Sequence, residues 1–260
     1  MNTVAFHPVN EPLPHSIARA AGIFWLLTIL TSAFAFAAGG RFFVPGDAAA
    51  TAANVIAHES LYRLAFSANI IATACYLAAT LLVYVLLRPV NRDISLLAAF
   101  FSLIGCAVGA VSCLLFLAPV GILTGAQSQS AFTLAQLQTQ ALTFLGLSAR
   151  ANDIGLVFFA LHVLCVGYLI RRSTFLPGFL GILLTLTSLC YLANSFATFL
   201  SLSFRSLLMP FVAVGGLIGE GTLTFWLLIA GVNSGRWMAQ ASSTSQCCVP
   251  SALPIESPAS

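Results

Sequence analysis

The clearest indication of the fold is the stretch NDIGLVFFALHVLCVGYLIRR at residues 152–172. The stretch begins with Asn152 and Asp153 and ends with Arg171 and Arg172. Between these ends it is apolar apart from His162 near its midpoint. An apolar run of about 18 residues or more is typical of a transmembrane helix. The stretch therefore predicts a membrane-spanning helix with an ionisable group inside it.

The composition of the whole chain agrees with a membrane location. Hydrophobic residues make up 59% and charged residues 7% of the chain, whereas a soluble domain carries about a quarter charged residues. So few charges cannot cover a surface that faces water. The ten basic residues are scattered between apolar runs, which excludes a nucleic-acid interface. The partner that the composition indicates is the lipid bilayer.

Further apolar runs flank this stretch, so the sequence predicts an all-α, polytopic transmembrane bundle of about six spans. The predicted spans are residues 17–39, 61–87, 94–123, 153–170, 178–200 and 208–232. A short interfacial helix is predicted in each of the two longer outer loops. One follows Asp47, which is a good N-cap, and the other carries leucines at helical spacing before the fourth span.

The ends of the chain are more polar than its middle. Residues 1–16 hold three prolines and predict a flexible head, while the Ser- and Pro-rich residues 234–260 predict a disordered tail. Residues 17–233 then form the transmembrane domain. A cleaved signal peptide is the alternative for the first run, but its apolar core is longer than usual and little positive charge precedes it.

Six spans place both termini on one side of the membrane. The arginines expected on that side are Arg19, Arg88, Arg92, Arg171, Arg172 and Arg236. Those expected on the opposite side are Arg41, Arg63, Arg150 and Arg205. Because basic residues accumulate on the cytoplasmic side, the sequence predicts a bacterial cytoplasmic (inner) membrane protein with both termini in the cytoplasm.

Several motifs, in this order, resemble one known family. They are VPGDAAATAAN at 44–54, LRPVN at 87–91, DIGLVFF at 153–159, GYLI at 167–170, YLANSF at 191–196, and GE at 219–220 before WLL at 226–228. From about residue 17 to 233 the chain resembles the bacterial membrane family called domain of unknown function 4386. The resemblance implies a multi-helix membrane protein whose activity is not established, and it supplies no catalytic residues.

Two ionisable residues lie near the middle of predicted spans. Glu220 is the only carboxylate deep inside the sixth span, and His162 occupies the middle of the fourth. Charges at the bilayer centre are costly and normally face the bundle interior. The two spans run in the same direction, so both residues are expected at one depth. The sequence predicts a polar cavity around His162 and Glu220, extended toward the outer surface by Asp153, Asn69, Asn194 and Arg63.

Two interpretations of this cluster remain open. His162 and Glu220 could form a titrating pair in a proton-linked or small-ligand cavity, or a hydrogen-bonded strut between helices. Asp153 could instead cap the helix that it begins. Arg63 could pair with Asp153 or extend to the membrane interface. The two asparagines could bond to neighbouring helices.

Two short patterns recur in the chain. The sequence CYLA occurs at 75–78 and 190–193, and the pattern GxxxG occurs at 105–109 and 215–219. The first pattern pairs the second span with the fifth, and the second pattern pairs the third span with the sixth. This is the order expected of an inverted repeat. The offset is 115 residues for the first pattern and 110 for the second. The disagreement leaves the repeat a hypothesis.

These observations indicate a multi-pass protein that binds or transports a small molecule or proton, with a small molecule or lipid as ligand. A structural or regulatory membrane subunit is the alternative. An enzyme acting on a lipid or quinone is less favoured, because HExxH, GxSxG and clustered carboxylates are all missing from the sequence. The dispersed cysteines and histidines predict neither a metal site nor a cofactor.

Overall fold

The described part of the chain is almost entirely helical. A computed structural model describes residues 14–200 and 202–246, and these contain no strand. The helices are α1 (Pro14–Gly39), α2 (Ala48–Ala57), α3 (Glu59–Leu87), α4 (Arg92–Thr124), α5 (Ala126–Ala131), α6 (Leu134–Arg172), α7 (Gly178–Leu200), α8 (Leu202–Ile229) and α9 (Ser234–Gln246). The prediction of an all-α fold is confirmed.

Five of these helices, α1, α3, α4, α6 and α7, are long and apolar enough to cross a membrane. Within α8, Val214–Ile229 meets the same criterion when it is taken together with Ser234–Ser243 of α9, across a bend of 104°. The described residues therefore contain five spans, or six with this bent pair. The chain is a polytopic helical membrane protein, as predicted.

The six long helices form a closed ring. Each of them packs against two neighbours, in the order α1, α3, α4, α6, α7, α8 and back to α1. Hydrogen bonds fix the antiparallel register, for example from Ser112 Oγ of α4 to the Ser148 carbonyl of α6 at 2.8 Å. Large apolar side chains such as Leu81 and Leu114 lie exposed on the outside. One face of every long helix therefore points to a common centre, and the other is suited to lipid.

The ring has two ends, which we name after the short helices found there. The α9 end holds the start of α1 and the ends of α3 and α6; the α2 end is the opposite one. At the α9 end, Trp237 is buried, and its Nε1 donates a hydrogen bond to the Leu86 carbonyl of α3 at 2.8 Å. The chain turns into α9 at Gly231, whose φ of +63° is in the left-handed region that glycine tolerates best.

The prediction of disorder over residues 234–260 is therefore wrong for Ser234–Gln246, which is helical and packed on the bundle. Serine content suggested a disordered tail, but the buried Trp237 and the hydrogen bond from Thr174 N to Gln240 Oε1, 3.0 Å, anchor this segment. Residues 247–260, and residues 1–13 of the predicted head, lie outside the described residues. Residues 14–16 belong to α1.

The first predicted loop helix is present as α2. Asp47 Oδ1 accepts a hydrogen bond from Ala50 N at 2.8 Å, so the carboxylate caps this helix as expected. The helix packs against α4 and α6 at the α2 end of the ring.

The second predicted loop helix is not separate from the fourth span. Both belong to α6, which runs unbroken for 39 residues from a capping box formed by Thr133 and Gln136. No proline interrupts this sequence, and its Ala, Leu and Gln residues favour helix. Asp153 therefore lies in the middle of a helix, where it is buried. The hypothesis that Asp153 caps a helix start is wrong.

Trp237→Phe is expected to lower the free energy of unfolding by about 1 kcal/mol, because it removes one buried hydrogen bond and leaves the Leu86 carbonyl unsatisfied. Thermal unfolding of the purified protein in a neutral detergent measures the change. Trp226→Phe is the matched control, since the half-buried Trp226 ring packs edge-on against Phe179 and shows no hydrogen bond in the described part of the chain. Equal losses in both variants would contradict the role of this bond.

Candidate functional site

Glu220 of α8 lies at the centre of the site. Its Oε2 accepts a hydrogen bond from Trp25 Nε1 at 2.9 Å, and its Oε1 accepts one from the Tyr191 hydroxyl at 2.7 Å. Trp25 belongs to α1 and Tyr191 to α7, and these are the two ring neighbours of α8. One carboxylate therefore ties α8 to the helix on each side of it.

Aromatic side chains from further helices pack beside Trp25, which binds this carboxylate. The Tyr76 ring of α3 meets the Trp25 ring edge-on, with centroids 5.9 Å apart. Phe159 of α6 packs edge-on against Tyr76 at 4.9 Å. Within the described residues no basic side chain pairs with Glu220. The group is therefore a carboxylate held by neutral donors among aromatic rings.

His162 of α6 belongs to the same centre but does not bind Glu220 directly. Its Nδ1 lies 2.8 Å from the Ala98 carbonyl oxygen, which can only accept, so Nδ1 donates this hydrogen bond. The ring centroid lies 6.4 Å from that of Trp25 and 5.7 Å from that of Tyr76. The expected direct pair is thus replaced by an arrangement in which Trp25 contacts both residues.

The other ring nitrogen of His162 has a different environment. The side chain is 1% exposed, and among the described residues Nε2 has no hydrogen-bond partner. Because Nδ1 carries the proton, Nε2 presents a lone pair to the interior of the bundle. The centre of the ring therefore contains a second group that can accept a proton.

Asp153 and Asn194 lie at another level of the bundle. Ser188 Oγ of α7 donates a hydrogen bond to the Ala160 carbonyl of α6 at 2.9 Å. Asp153 precedes Ala160 by seven residues, and Ser195 follows Ser188 by seven, so on antiparallel helices they lie at one depth and on facing sides. At 1.5 Å per residue, the level of Asp153 and Ser195 lies about 10 Å from Ala160, toward the α2 end.

This second level also holds the buried side-chain oxygens of Asn194 and Ser195. Within the described part of the chain, neither Asn194 Oδ1 nor Ser195 Oγ has a hydrogen-bond partner. Both side chains are almost completely buried. The predicted cavity residues therefore separate by depth, with Glu220 and His162 at the centre and Asp153 and Asn194 nearer the α2 end.

The remaining two predicted residues do not join either cluster. Arg63 is exposed near the α2 end, where its Nε forms an ion pair of 2.7 Å with Glu59 one turn earlier in α3. The Asn69 side chain donates to the Ala65 carbonyl of its own helix at 3.2 Å. Neither contact points to a ligand.

The central cluster is closed in this conformation. The crevice between α3, α4 and α6 beside His162, lined by Thr80 and Ser95 among others, is too narrow for a water molecule. A cleft of about 390 Å³ lies elsewhere, at the α2 end, where Ala52, Leu123 and Leu137 contribute to its walls. The predicted cavity is therefore closed beside His162.

Trp25, Tyr76 and Tyr191 contact the predicted residues, although sequence reasoning did not select them. The CYLA repeat places Tyr76 and Tyr191 at equivalent positions, which is one signal that could have identified them. The position of Trp25 in the sequence is a second such signal. Tryptophan usually prefers the membrane interface, whereas Trp25 lies well inside the first span.

The fold and the site together define a polytopic helical membrane protein with a partly buried carboxylate in its bundle. The chain belongs to the family described as Domain of unknown function (DUF4386), whose model matches residues 20–231. The resemblance seen in the sequence motifs is thereby confirmed.

One relative is an "Uncharacterized protein" from the archaeon Archaeoglobus fulgidus. It is 26% identical over 161 residues, which cover 62% of this chain and 77% of the relative. No solved structure matches the chain.

Trp25→Phe and Tyr191→Phe are each expected to lower the free energy of unfolding by about 1–3 kcal/mol, because each removes a donor to a partly buried carboxyl group. The double variant should lose less than the sum of the two, since both donors serve one carboxylate. Chemical denaturation in detergent measures all three variants.

Matched controls exist for both substitutions. Trp226→Phe and Tyr168→Phe change the same residue types in side chains that make no hydrogen bond to Glu220. Losses in the controls as large as those in the site variants, or strict additivity of the pair, would show that Glu220 does not link the three helices.

Proposed function

We propose that the protein binds or transports a small molecule or proton in the membrane, and that Glu220 is the group that exchanges it. The observation that carries this proposal is a carboxylate at the centre of the helix ring, held only by the neutral donors Trp25 and Tyr191 among the described residues. Ionisable groups inside a membrane are costly and typically mark ion or substrate pathways.

The same geometry couples protonation of Glu220 to helix packing. Hydrogen bonds to an ionised carboxylate are about twice as strong as those to a neutral acceptor. Proton uptake by Glu220 therefore weakens the bonds from Trp25 and Tyr191, and with them the contacts of α8 to α1 and α7. Proton release strengthens both contacts. The ring is thus tighter or looser according to the charge of one side chain.

A structural strut is the second candidate function, and the closed packing beside His162 favours it. The substitution Glu220→Gln distinguishes the two. A carboxamide accepts from Trp25 Nε1 through its oxygen and donates to the Tyr191 oxygen through its nitrogen, so both links persist. The carboxamide cannot take up a proton.

Glu220→Gln is expected to keep the free energy of unfolding within about 1 kcal/mol of the wild type, because both hydrogen bonds are retained. The variant should lose the infrared carbonyl band of the protonated Glu220 carboxyl that the wild type gains as the pH is lowered. Infrared difference spectra of the protein in lipid, recorded over a pH series, measure this band.

Glu59→Gln serves as the control, since Glu59 is a carboxylate outside the ring centre that pairs with Arg63. It should keep the band. Identical spectra for the wild type and Glu220→Gln would refute the proton-exchange function and leave the strut.

We also propose that both termini lie in the cytoplasm and that the membrane is a bacterial cytoplasmic membrane. The described starts of α1 and α9 lie at one end of the ring, where Trp237 contacts Leu86. Six of the ten arginines lie in the segments of that end, and basic residues favour the cytoplasmic side.

A green fluorescent protein fused after residue 260 is expected to fluoresce, and alkaline phosphatase at the same place is expected to be inactive. An insertion of each reporter between α5 and α6 should give the reverse pattern, because this connection lies at the α2 end. The opposite result at both sites would overturn the orientation.

A further inference from the structure

We propose that the α9 end of the ring binds the headgroups of anionic phospholipids, and that Arg171, Arg172 and Arg236 contact their phosphates. Arg171 and Arg172 end α6, and Arg236 lies in the first turn of α9. All three side chains are exposed. This inference is independent of the proposed role of Glu220.

The orientation of α9 suits contact with lipid headgroups. Its residues Ser234–Ser243 make an angle of 104° with Val214–Ile229 of α8. Because α8 is a candidate span, α9 runs close to the plane of the membrane, at the level where the long helices end. Its buried Trp237 is bonded to the ring at the Leu86 carbonyl, while Arg236 is exposed. Helices that lie in this plane with basic residues on their polar face are attracted to anionic lipids.

The turn between α6 and α7, residues 173–177, joins the three arginines into one surface. Arg236 Nη1 donates a hydrogen bond to the Thr174 carbonyl at 3.4 Å, and Thr174 follows Arg172 by two residues. The hydroxyl of Thr174 also donates to Gln240 Oε1 of α9 at 3.0 Å. A guanidinium has five N–H donors, so Arg236 keeps most of its donors for a ligand.

The two arginines of α6 are also held by local contacts. The Arg172 guanidinium lies over the Tyr168 ring one turn earlier, with its carbon 5.5 Å from the ring centroid. The stem of Arg171 lies against Gly181 of α7, where a Cβ atom would come within 2.6 Å of Arg171 Cγ. Both charged groups therefore have a defined position at the surface, which lowers the entropy lost when they bind a ligand.

The charge of this surface selects an anionic ligand. Within the described part of the chain, none of its three arginines forms an ion pair with a carboxylate. Among the described residues, the α9 end contains one acidic side chain, Asp93 in the first turn of α4. It also contains three further arginines, Arg19, Arg88 and Arg92. The positive charge of this end therefore exceeds its negative charge.

The position of the surface selects a lipid as the source of the anion. Guanidinium groups bind phosphate through paired N–H donors, and clusters of arginine next to the ends of spans favour anionic headgroups. A free phosphate ion offers the same group, but only a lipid is kept at this level by its acyl chains. Since Arg236 is next to Trp237, a bound headgroup also holds α9 against the ring.

The experiment measures thermal unfolding of the full-length protein in a neutral detergent, with added phosphatidylglycerol or with phosphatidylcholine of the same acyl chains. A ligand that binds the folded state raises the midpoint of unfolding. The midpoint of the wild type is expected to be higher in phosphatidylglycerol by about 3 °C or more. This difference should fall by about half or more when NaCl is raised from about 0.05 to 0.5 M, because salt screens exposed charges.

Replacement of all three site arginines by Gln is expected to abolish the difference between the two lipids. The matched control removes the same charge from exposed arginines expected on the opposite side of the membrane, and it should keep the difference. Its substitutions are Arg41→Gln, Arg63→Gln and Arg150→Gln. Equal losses in the two triple variants would show a general attraction between charges and overturn the inference.

Inorganic phosphate, added without lipid at about 10 mM, separates the two sources of the phosphate group. It is expected to leave the midpoint of the wild type unchanged. A rise as large as that in phosphatidylglycerol would identify free phosphate as the ligand and overturn the lipid. Equal midpoints of the wild type in the two lipids would also overturn the inference, and this measurement needs no variant to fold.

Discussion

The hydrogen bonds from Trp25 and Tyr191 to one carboxylate are the interactions on which the centre of this bundle depends. A helix ring in a bilayer gains little from the hydrophobic effect, because lipid is as apolar as the side chains. Directed polar contacts therefore carry a larger share of specificity. Glu220 fixes α8 between α1 and α7, which closes the ring at the point where the last long helix meets the first.

Other helix pairs are also joined by directed polar contacts, which are made by weaker hydrogen-bonding groups than a carboxylate. Thr80 and Ser102 join α3 to α4 at 2.7 Å, while Ser112 and Ser148 join α4 to α6. His162 adds its bond to the Ala98 carbonyl. Each pair satisfies polar atoms inside the bundle and sets the register of two helices. Glu220 differs from the serine and threonine pairs because its charge can change.

Much of the fold could be predicted from the hydropathy of the sequence, whereas much of the site could not. Apolar length predicts the spans, and Asp47 predicts the start of α2, because both are local properties. The continuity of α6 was missed, since a polar Asn152-Asp153 step resembles a boundary when the neighbouring helices are unknown. Trp237 was missed for a related reason: one buried ring outweighs the serines around it only through a contact with Leu86, which is distant in sequence.

The unbroken α6 has a mechanical consequence. At 1.5 Å per residue its 39 residues extend for about 58 Å, whereas the hydrocarbon layer is about 30 Å thick. The first part of α6 lies at the α2 end, where α2 packs against the helix. One unbroken helix thus leads from the α2 end to the imidazole of His162. A tilt of this helix at the α2 end would therefore also move His162 at the centre of the ring.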